Sequence, residues 1–282
     1  MNQLIKNGFY TYLETWLDDF ISSFERQYPQ FLSKFNLKRV HSQMVADEII
    51  TIAKAIGLKP EDTPLAKVIG LLHDIGRFPQ FAGYTTFDDR ISVDHGALGV
   101  DILSDYDLLA SLDLTDRIVV ETAILHHNKA RLPDLADKRC HLYAQLIRDA
   151  DKLDIFRVVK NTIDRPGDSE ISTLPKGDDI SEKVLTDVTK KEAVCKNHIK
   201  NQIDWIFFRI AWFFDINFSH TLKLIMDRGY YTMLRSMLPE TDNIIKALNT
   251  IDSYLNSNLP KILESSGKNK GVIDYYPFWV SN

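Results

Sequence analysis

The sequence predicts an all-α fold, a helical bundle followed by a C-terminal helical extension. Apolar residues recur at intervals of three and four along most of the chain, which is the period of an amphipathic helix. Stretches of strict apolar–polar alternation, the pattern of a half-buried strand, are rare. The 282 residues are 44% hydrophobic and 11% aromatic, and this content is sufficient for a sizeable core.

Charge and cysteine content exclude several classes of protein. The formal net charge is −5, so we expect no broad basic surface and no nucleic-acid polymer as a partner. The cysteines, Cys140 and Cys195, lack the spacing of a metal site and indicate reduced thiols. Residues 1–6 contain no secretory apolar segment, and the most apolar run, residues 204–218, is short and interrupted by charges. We therefore expect a cytoplasmic protein without a membrane partner.

Three helices are predicted up to the adjacent residues His73 and Asp74. Residues 8–27 and residues 38–56 each place apolar side chains on one helical face. Thr63 is predicted to be the N-cap of the third helix, because a proline follows at the first helical position. This third helix buries an apolar run and is expected to end at the adjacent residues His73 and Asp74.

Two further helices are predicted after that pair. Gly76 is expected to stop the preceding helix, and residues 77–91 are predicted to form a loop. Ser92 is predicted to cap the next helix and Thr115 the one after it. These two helices contribute three more histidines, His95, His126 and His127.

One long helix is predicted from Lys138 to Val158, with Asp151 close to its buried side. Residues 161–184 are polar and interrupted by proline and glycine. A loop of this length is often a lid or a binding loop, and a disordered insertion is the alternative. Helices are expected to resume near residue 188. Later helices are predicted at 199–216, 220–237 and 241–257, with Ser219 and Thr241 as caps of the last two, before an aromatic tail at 275–279.

This helix pattern predicts four segments. Residues 1–35 are expected to form an N-terminal helical segment that packs on a core at residues 36–160. Residues 161–190 are expected to form the loop or lid. Residues 191–282 are expected to form the C-terminal helical extension, within the same globular unit.

Seven polar residues fall on or beside the apolar faces of five predicted helices. Buried polar groups need partners, and helices of a bundle can project such groups into one core. Five imidazoles and two carboxylates suit iron, manganese, zinc or nickel better than calcium. The set is too large for one tetrahedral ion and fits two ions, which can share a metal-activated hydroxide and clamp a phosphoester. The seven residues are His41, His73, Asp74, His95, His126, His127 and Asp151.

The order of these residues resembles the HD-domain superfamily of metal-dependent phosphohydrolases. The resemblance covers residues 36–160, and its core is His41, the adjacent His73 and Asp74, and the distant Asp151. It implies an all-helical HD-domain bundle in which these four residues hold one metal ion.

The added His95 and the adjacent His126 and His127 resemble the ligand pattern of the binuclear branch of that superfamily. This branch includes HD-GYP-type cyclic-dinucleotide phosphodiesterases. By this resemblance His95, His126 and His127 hold a second ion, with Asp74 as the bridge. Adjacent side chains point about 100° apart on a helix. The alternative is therefore that one of His126 and His127 contacts substrate or supports a ligand instead of binding the metal. The lysine that follows His-Asp-Ile-Gly in HD-GYP proteins is Arg77 here, and the Gly-Tyr-Pro signature is missing.

The resulting hypothesis is a metal-dependent phosphohydrolase that acts on a small nucleotide or a related phosphorylated metabolite. In it Asp74 serves catalysis as the metal bridge, and Arg77 and Lys152 are the candidate contacts to substrate phosphate. For Arg77, a salt bridge to Asp88 or Asp89 is the alternative.

Two other functions stay open. A di-iron oxygenase of the HD fold would use a similar set of ligands, although its pattern usually has one histidine where this chain has His126 and His127. A non-catalytic module that binds a metal or nucleotide is the other alternative. A homo-oligomer is also compatible with the sequence.

Overall fold

A computed structural model of the chain describes residues 8–163, 165 and 169–260. These residues form twelve α-helices with short 3-10 turns and contain no strand, which confirms the predicted all-α class. The chain divides into two compact units, one up to Asp154 and one from Ile155 onward. The aromatic tail at 275–279 lies outside the described residues. Within the described part, no helix is long and apolar enough to cross a membrane.

The first unit contains six helices and most of a seventh. The second helix packs on the third, the fifth on the sixth, and the first contacts the second, third and fourth. Fully buried aliphatic side chains from these helices form the core, as expected from the helical period of the sequence. The helices are α1 (Phe9–Gln27), α2 (Leu32–Ala55), α3 (Thr63–Leu72), α4 (Arg77–Tyr84), α5 (His95–Asp105), α6 (Leu114–His126) and α7 (Lys138–Thr162).

The caps predicted for α5 and α6 are wrong. Asp94 precedes α5 and accepts hydrogen bonds from the N–H groups of the second and third helical residues, whereas the Ser92 hydroxyl donates to a loop carbonyl. Asp113 precedes α6 and accepts from the Asp116 N–H, so Thr115 lies inside the helix. Aspartate caps a helix as well as serine or threonine does, and the sequence pattern alone does not distinguish neighbouring candidates.

The prediction of a loop over residues 77–91 is also wrong in its first half, because α4 occupies Arg77–Tyr84. This helix forms because Phe78 and Phe81 are buried in the first unit. A proline at its third position is tolerated, since N–H groups in the first turn have no partner within the helix.

Two further boundaries differ from the prediction. Thr63 is the first residue of α3, not its cap, and its hydroxyl donates to the Pro60 carbonyl. Ser219 is likewise the first residue of its helix, and the cap position is Phe218. The Thr241 cap is confirmed, since its hydroxyl accepts from the N–H of the third helical residue.

The second unit contains the end of α7 and five later helices. The eighth helix packs against the ninth and the twelfth, and the tenth against the eleventh. Gly229 has a φ of 71° and breaks the helix predicted over 220–237 into two. The helices are α8 (Glu182–Thr189), α9 (Gln202–Ile210), α10 (Ser219–Asp227), α11 (Tyr230–Arg235) and α12 (Asp242–Asn258).

Candidate metal centre

The centre forms at the turn between α3 and α4. The α3 helix ends at Leu72, and the next two residues, His73 and Asp74, are 0% and 2% exposed. Gly76 then lies against α5 so closely that a Cβ atom would clash with the carbonyl oxygen of His95. The missing side chain at Gly76 therefore allows α5 to bring His95 to the turn.

The two carboxylate oxygens of Asp74 face different histidines. Oδ1 is 3.3 Å from His95 Nε2 and 3.6 Å from His127 Nε2. Oδ2 is 3.5 Å from His41 Nε2 and 3.6 Å from His73 Nε2. The carboxylate thus lies between two pairs of imidazoles, as a bridging ligand would.

Asp151 on α7 completes one side of the centre. Its Oδ1 is 3.0 Å from His41 Nε2 and 3.8 Å from His73 Nε2. These three residues offer ligand atoms that all lie within 4.8 Å of one another, and so does an overlapping group of His73, Asp74 and His127. Two overlapping groups with a shared histidine therefore stand where two ions could bind.

Two of the imidazoles are oriented by backbone carbonyls. His73 Nδ1 is 2.8 Å from the Gly70 carbonyl oxygen, and His127 Nδ1 is 2.6 Å from that of Ile124. A carbonyl can only accept, so Nδ1 carries the ring proton. Nε2 of each ring then presents its lone pair to the centre.

The other two imidazoles are oriented by carboxylates. His41 Nδ1 is 2.6 Å from Asp154 Oδ2, and His95 Nδ1 is 2.6 Å from Asp89 Oδ2. Carboxylates in this position fix the ring and raise the basicity of the opposite nitrogen toward a metal. All four rings are therefore held from outside with Nε2 directed inward.

Burial keeps two of these rings neutral. It lowers the pKa of His73 to about 3, although the nearby Asp74 favours the charged form. Burial also lowers the pKa of His127, against the hydrogen bond to Asp74. A neutral imidazole is the form that binds a metal, so neither ring has to lose a proton at pH 7.

The carboxylates, by contrast, are kept in their charged form. Burial works against ionisation of Asp74, but the Lys38 ammonium and His73 hold its pKa well below the usual range. The pKa of Asp151 is also lowered, because its hydrogen bond to His41 outweighs the effect of burial. The pKa of His41 itself is raised: burial and Lys38 oppose its charge, but hydrogen bonds to carboxylates outweigh them.

This donor set fits a first-row transition metal. Imidazole nitrogens and carboxylate oxygens without thiolate suit iron, manganese, zinc or nickel. The lowered pKa values of His73, His127, Asp74 and Asp151 favour the protonation states that metal binding requires. His41, whose pKa is raised, has to give up any bound proton when a metal binds. The structure brings together six of the seven predicted ligands: His41, His73, Asp74, His95, His127 and Asp151.

His126 is not brought together with these six. It is the last residue of α6, and its side chain is partly exposed, whereas His127 is 4% exposed and lies at Asp74. The angular separation of adjacent residues agrees with this difference, because side chains about 100° apart on a helix face different neighbours.

Arg77, one of the two predicted phosphate contacts, lies beside the centre. Arg77 Nη1 donates to the Phe87 carbonyl and, at 2.9 Å, to Asp89 Oδ1. Its Nε is 3.4 Å from Asp74 Oδ1. The alternative ion pair with Asp89 is therefore present, and Arg77 supports the carboxylate that orients His95. Lys152 is 9% exposed, and its contact with phosphate stays a prediction.

Lys38 and Arg148 are among the residues around the centre that the sequence analysis missed. Lys38 Nζ is 2.6 Å from Asp74 Oδ2, and the available signal was its position one helical turn before His41. Arg148 donates from Nη1 to the His127 carbonyl at 3.2 Å and so holds the end of α6. An arginine on a long helix gives no sequence signal for that contact.

One comparison with known proteins gives a match. Residues 40–155 match the family model described as HD domain. No curated protein and no solved structure matches the chain. The matched segment runs from within α2 to within α7 and includes all six residues of the centre.

Proposed function

Residues 40–155 are an HD domain, and from this premise we propose that the protein is a metal-dependent phosphohydrolase. Its proposed substrate is a phosphoester of a small nucleotide or a related phosphorylated metabolite. The observation that supports this most directly is the position of the Asp74 carboxylate. Its Oδ2 lies near Nε2 of His41 and His73, and its Oδ1 lies near Nε2 of His95 and His127.

The six residues of the centre would hold two divalent ions, with Asp74 between them. Metal ions in such a site supply an acidified water and neutralise charge on the phosphoryl oxygens. The overlapping groups around His73 support two positions. The ions proposed are iron, manganese, zinc or nickel.

The chain's own residues supply orientation and access. The four imidazoles are 4% exposed or less, so water reaches few of the donors. The Asp151 side chain is 20% exposed, and this edge is where a substrate could approach. The acidic net charge requires local cations for a phosphorylated substrate, and Arg77 and Lys152 are proposed for that role.

The experiment combines elemental analysis of the purified protein with a panel of nucleotides and phosphoesters. His73→Ala should lose most bound metal and most hydrolysis together. His141→Ala is the matched control, because His141 lies in the same unit outside the centre, and it should retain both. Full hydrolysis by protein stripped of metal would contradict the proposal.

A di-iron oxygenase is the second candidate, and one observation favours it. The structure brings a single histidine of the adjacent pair, His127, to the centre, which is the number typical of HD-fold oxygenases. Dioxygen uptake by iron-loaded protein with a diol or phosphonate substrate, and no phosphate release from the panel, would favour this function.

A further inference from the structure

Lys38 places an ammonium group against the metal centre. It lies on α2, one turn before His41, and its Nζ is 2.6 Å from Asp74 Oδ2. This is the same oxygen that faces the pair His41 and His73. Lys38 therefore contacts the central carboxylate, but its ammonium has no lone pair and cannot bind a metal.

The position of Lys38 creates an electrostatic conflict for a metal site. Beside a bare carboxylate the ammonium is favourable, because it neutralises the buried charge of Asp74. Beside a divalent cation on the same carboxylate it is repelled. An anion bound next to Lys38 and the centre would remove the conflict, since it attracts both cations.

The ammonium also has donor capacity that the protein does not use. An ammonium has three N–H donors, and among the described residues Lys38 has one hydrogen-bond partner, Asp74. Its side chain is 16% exposed, on a centre whose histidines are nearly inaccessible. Two donors thus remain for a group that arrives from solvent.

Lys38 and Arg77 lie near the same aromatic ring but differ in their acceptors. Lys38 Nζ is 5.4 Å from the centre of the Phe87 ring, and the Arg77 guanidinium is 5.8 Å from the same ring. Arg77 directs Nη1 to the Phe87 carbonyl and Asp89. The Arg77 guanidinium is thus engaged by protein acceptors, whereas the Lys38 ammonium has Asp74 as its one acceptor among the described residues.

We propose that Lys38 is a substrate-binding residue that contacts a phosphoryl oxygen when the centre holds metal. This inference rests on the proposed phosphohydrolase function and adds a residue to it. It predicts that Lys38 weakens metal binding in the absence of substrate and strengthens phosphate binding once metal is present. A purely structural ion pair would also weaken metal binding, but it would not strengthen phosphate binding, so the second effect decides between the two roles.

The test measures two affinities in Lys38→Met. Metal-free protein is titrated with Mn²⁺, and the Mn²⁺-loaded protein is then titrated with inorganic phosphate by calorimetry. Relative to wild type, Lys38→Met should bind Mn²⁺ several-fold more tightly and phosphate about tenfold more weakly, since a hydrogen bond between charged groups is lost. In hydrolysis assays the KM should rise more than kcat falls.

Two variants and one control keep the test informative. Lys38→Arg retains the charge and should restore phosphate binding, and Lys38→Gln replaces Lys38→Met if circular dichroism shows that the methionine variant is unfolded. Lys34→Met removes a charge from an exposed position one turn earlier on α2 and should leave both affinities unchanged.

The outcomes separate this inference from the proposed function. Wild type that binds phosphate and hydrolyses the panel, together with Lys38→Met of unchanged phosphate affinity, overturns the role of Lys38 alone. Wild type that binds Mn²⁺ but neither binds phosphate nor hydrolyses any substrate overturns the phosphohydrolase function, and the role of Lys38 with it.

Discussion

The carboxylate of Asp154 lies 2.6 Å from Nδ1 of His41, and its side chain has no exposed surface. The opposite nitrogen of the same ring is 3.0 Å from Asp151 Oδ1. Asp154 therefore sets which nitrogen carries the proton and which faces the centre. Its contribution to metal binding passes through the orientation of His41.

Asp154→Asn tests this relationship. An amide can present its N–H₂ group to Nδ1, which would favour the wrong tautomer of the ring. We expect metal affinity to fall by about 10- to 100-fold, measured by competition with a chromophoric chelator. Asp101→Asn, at an exposed position of α5, should have no effect. An Asp154→Asn protein with wild-type affinity would show that the ring needs no carboxylate.

The pair of adjacent histidines gives a second prediction. His127→Ala removes a ring that lies 3.6 Å from Asp74 Oδ1 and should reduce the number of bound ions per chain. His126→Ala removes a ring that has no polar contact with the six residues of the centre in the described part of the chain, and it should leave metal content unchanged. Elemental analysis of the two variants, purified in parallel, measures the difference. Equal metal loss in both would mean that His126 is a ligand.

The convergence of His41, His73, Asp74 and Asp151 could be predicted from local order in the sequence, whereas metal binding by these residues stays a prediction. His73 and Asp74 follow an apolar run directly, and a polar pair in such a place needs partners. Helical period then placed His41 and Asp151 near buried faces. The position of His126 could not be assigned, because which of two adjacent rings enters the centre depends on how α6 is rotated in the packed bundle.

Lys38 and Asp89 could not be predicted as supporting residues, because the order of the sequence does not indicate which partner each one contacts. Asp89 reaches His95 from a short 3-10 turn, and an aspartate in a turn has many possible partners. Lys38 resembles any other charged residue of an amphipathic helix. The helix α4 was missed because its burial depends on two aromatic side chains, Phe78 and Phe81, that the rest of the first unit covers.

Stability of the metal-free protein should depend on pH through His73. Its pKa is about 3 in the folded protein and near 6.5 in an unfolded chain. Between these values the unfolded chain binds a proton that the folded protein does not. The free energy of unfolding therefore falls as pH decreases through this window, by at most about 1.4 kcal/mol per pH unit from this group. The raised pKa of His41 acts in the opposite direction.

Urea unfolding of wild type and His73→Gln at pH 7, 6 and 5 isolates the effect. The wild type should lose more stability than the variant as pH falls, because the variant lacks the titrating ring. His141→Gln, in the same unit, should follow the wild type. Parallel pH profiles of wild type and His73→Gln would show that burial of His73 is not linked to protonation.

The close approach of Gly76 to α5 gives the last prediction. A Cβ atom at Gly76 would clash with the His95 carbonyl and lie 2.9 Å from the Gly99 nitrogen. The backbone of Gly76 is ordinary right-handed helical, with φ −65°, so its role is steric. Gly76→Ala should push α5 away from the turn, with a loss of about 1–3 kcal/mol in stability and weaker metal binding through His95.

Gly83→Ala is the matched control, because Gly83 lies in α4 with nothing within 4 Å of its Cβ position. Alanine is the better helix former, so this variant should be neutral or more stable by up to about 1 kcal/mol. Thermal unfolding and metal titration of both variants decide the matter. If Gly76→Ala behaves like Gly83→Ala in both measurements, the turn and α5 can separate without disturbing His95. If stability falls but metal affinity does not, the contact supports the fold and His95 reaches Asp74 independently of it.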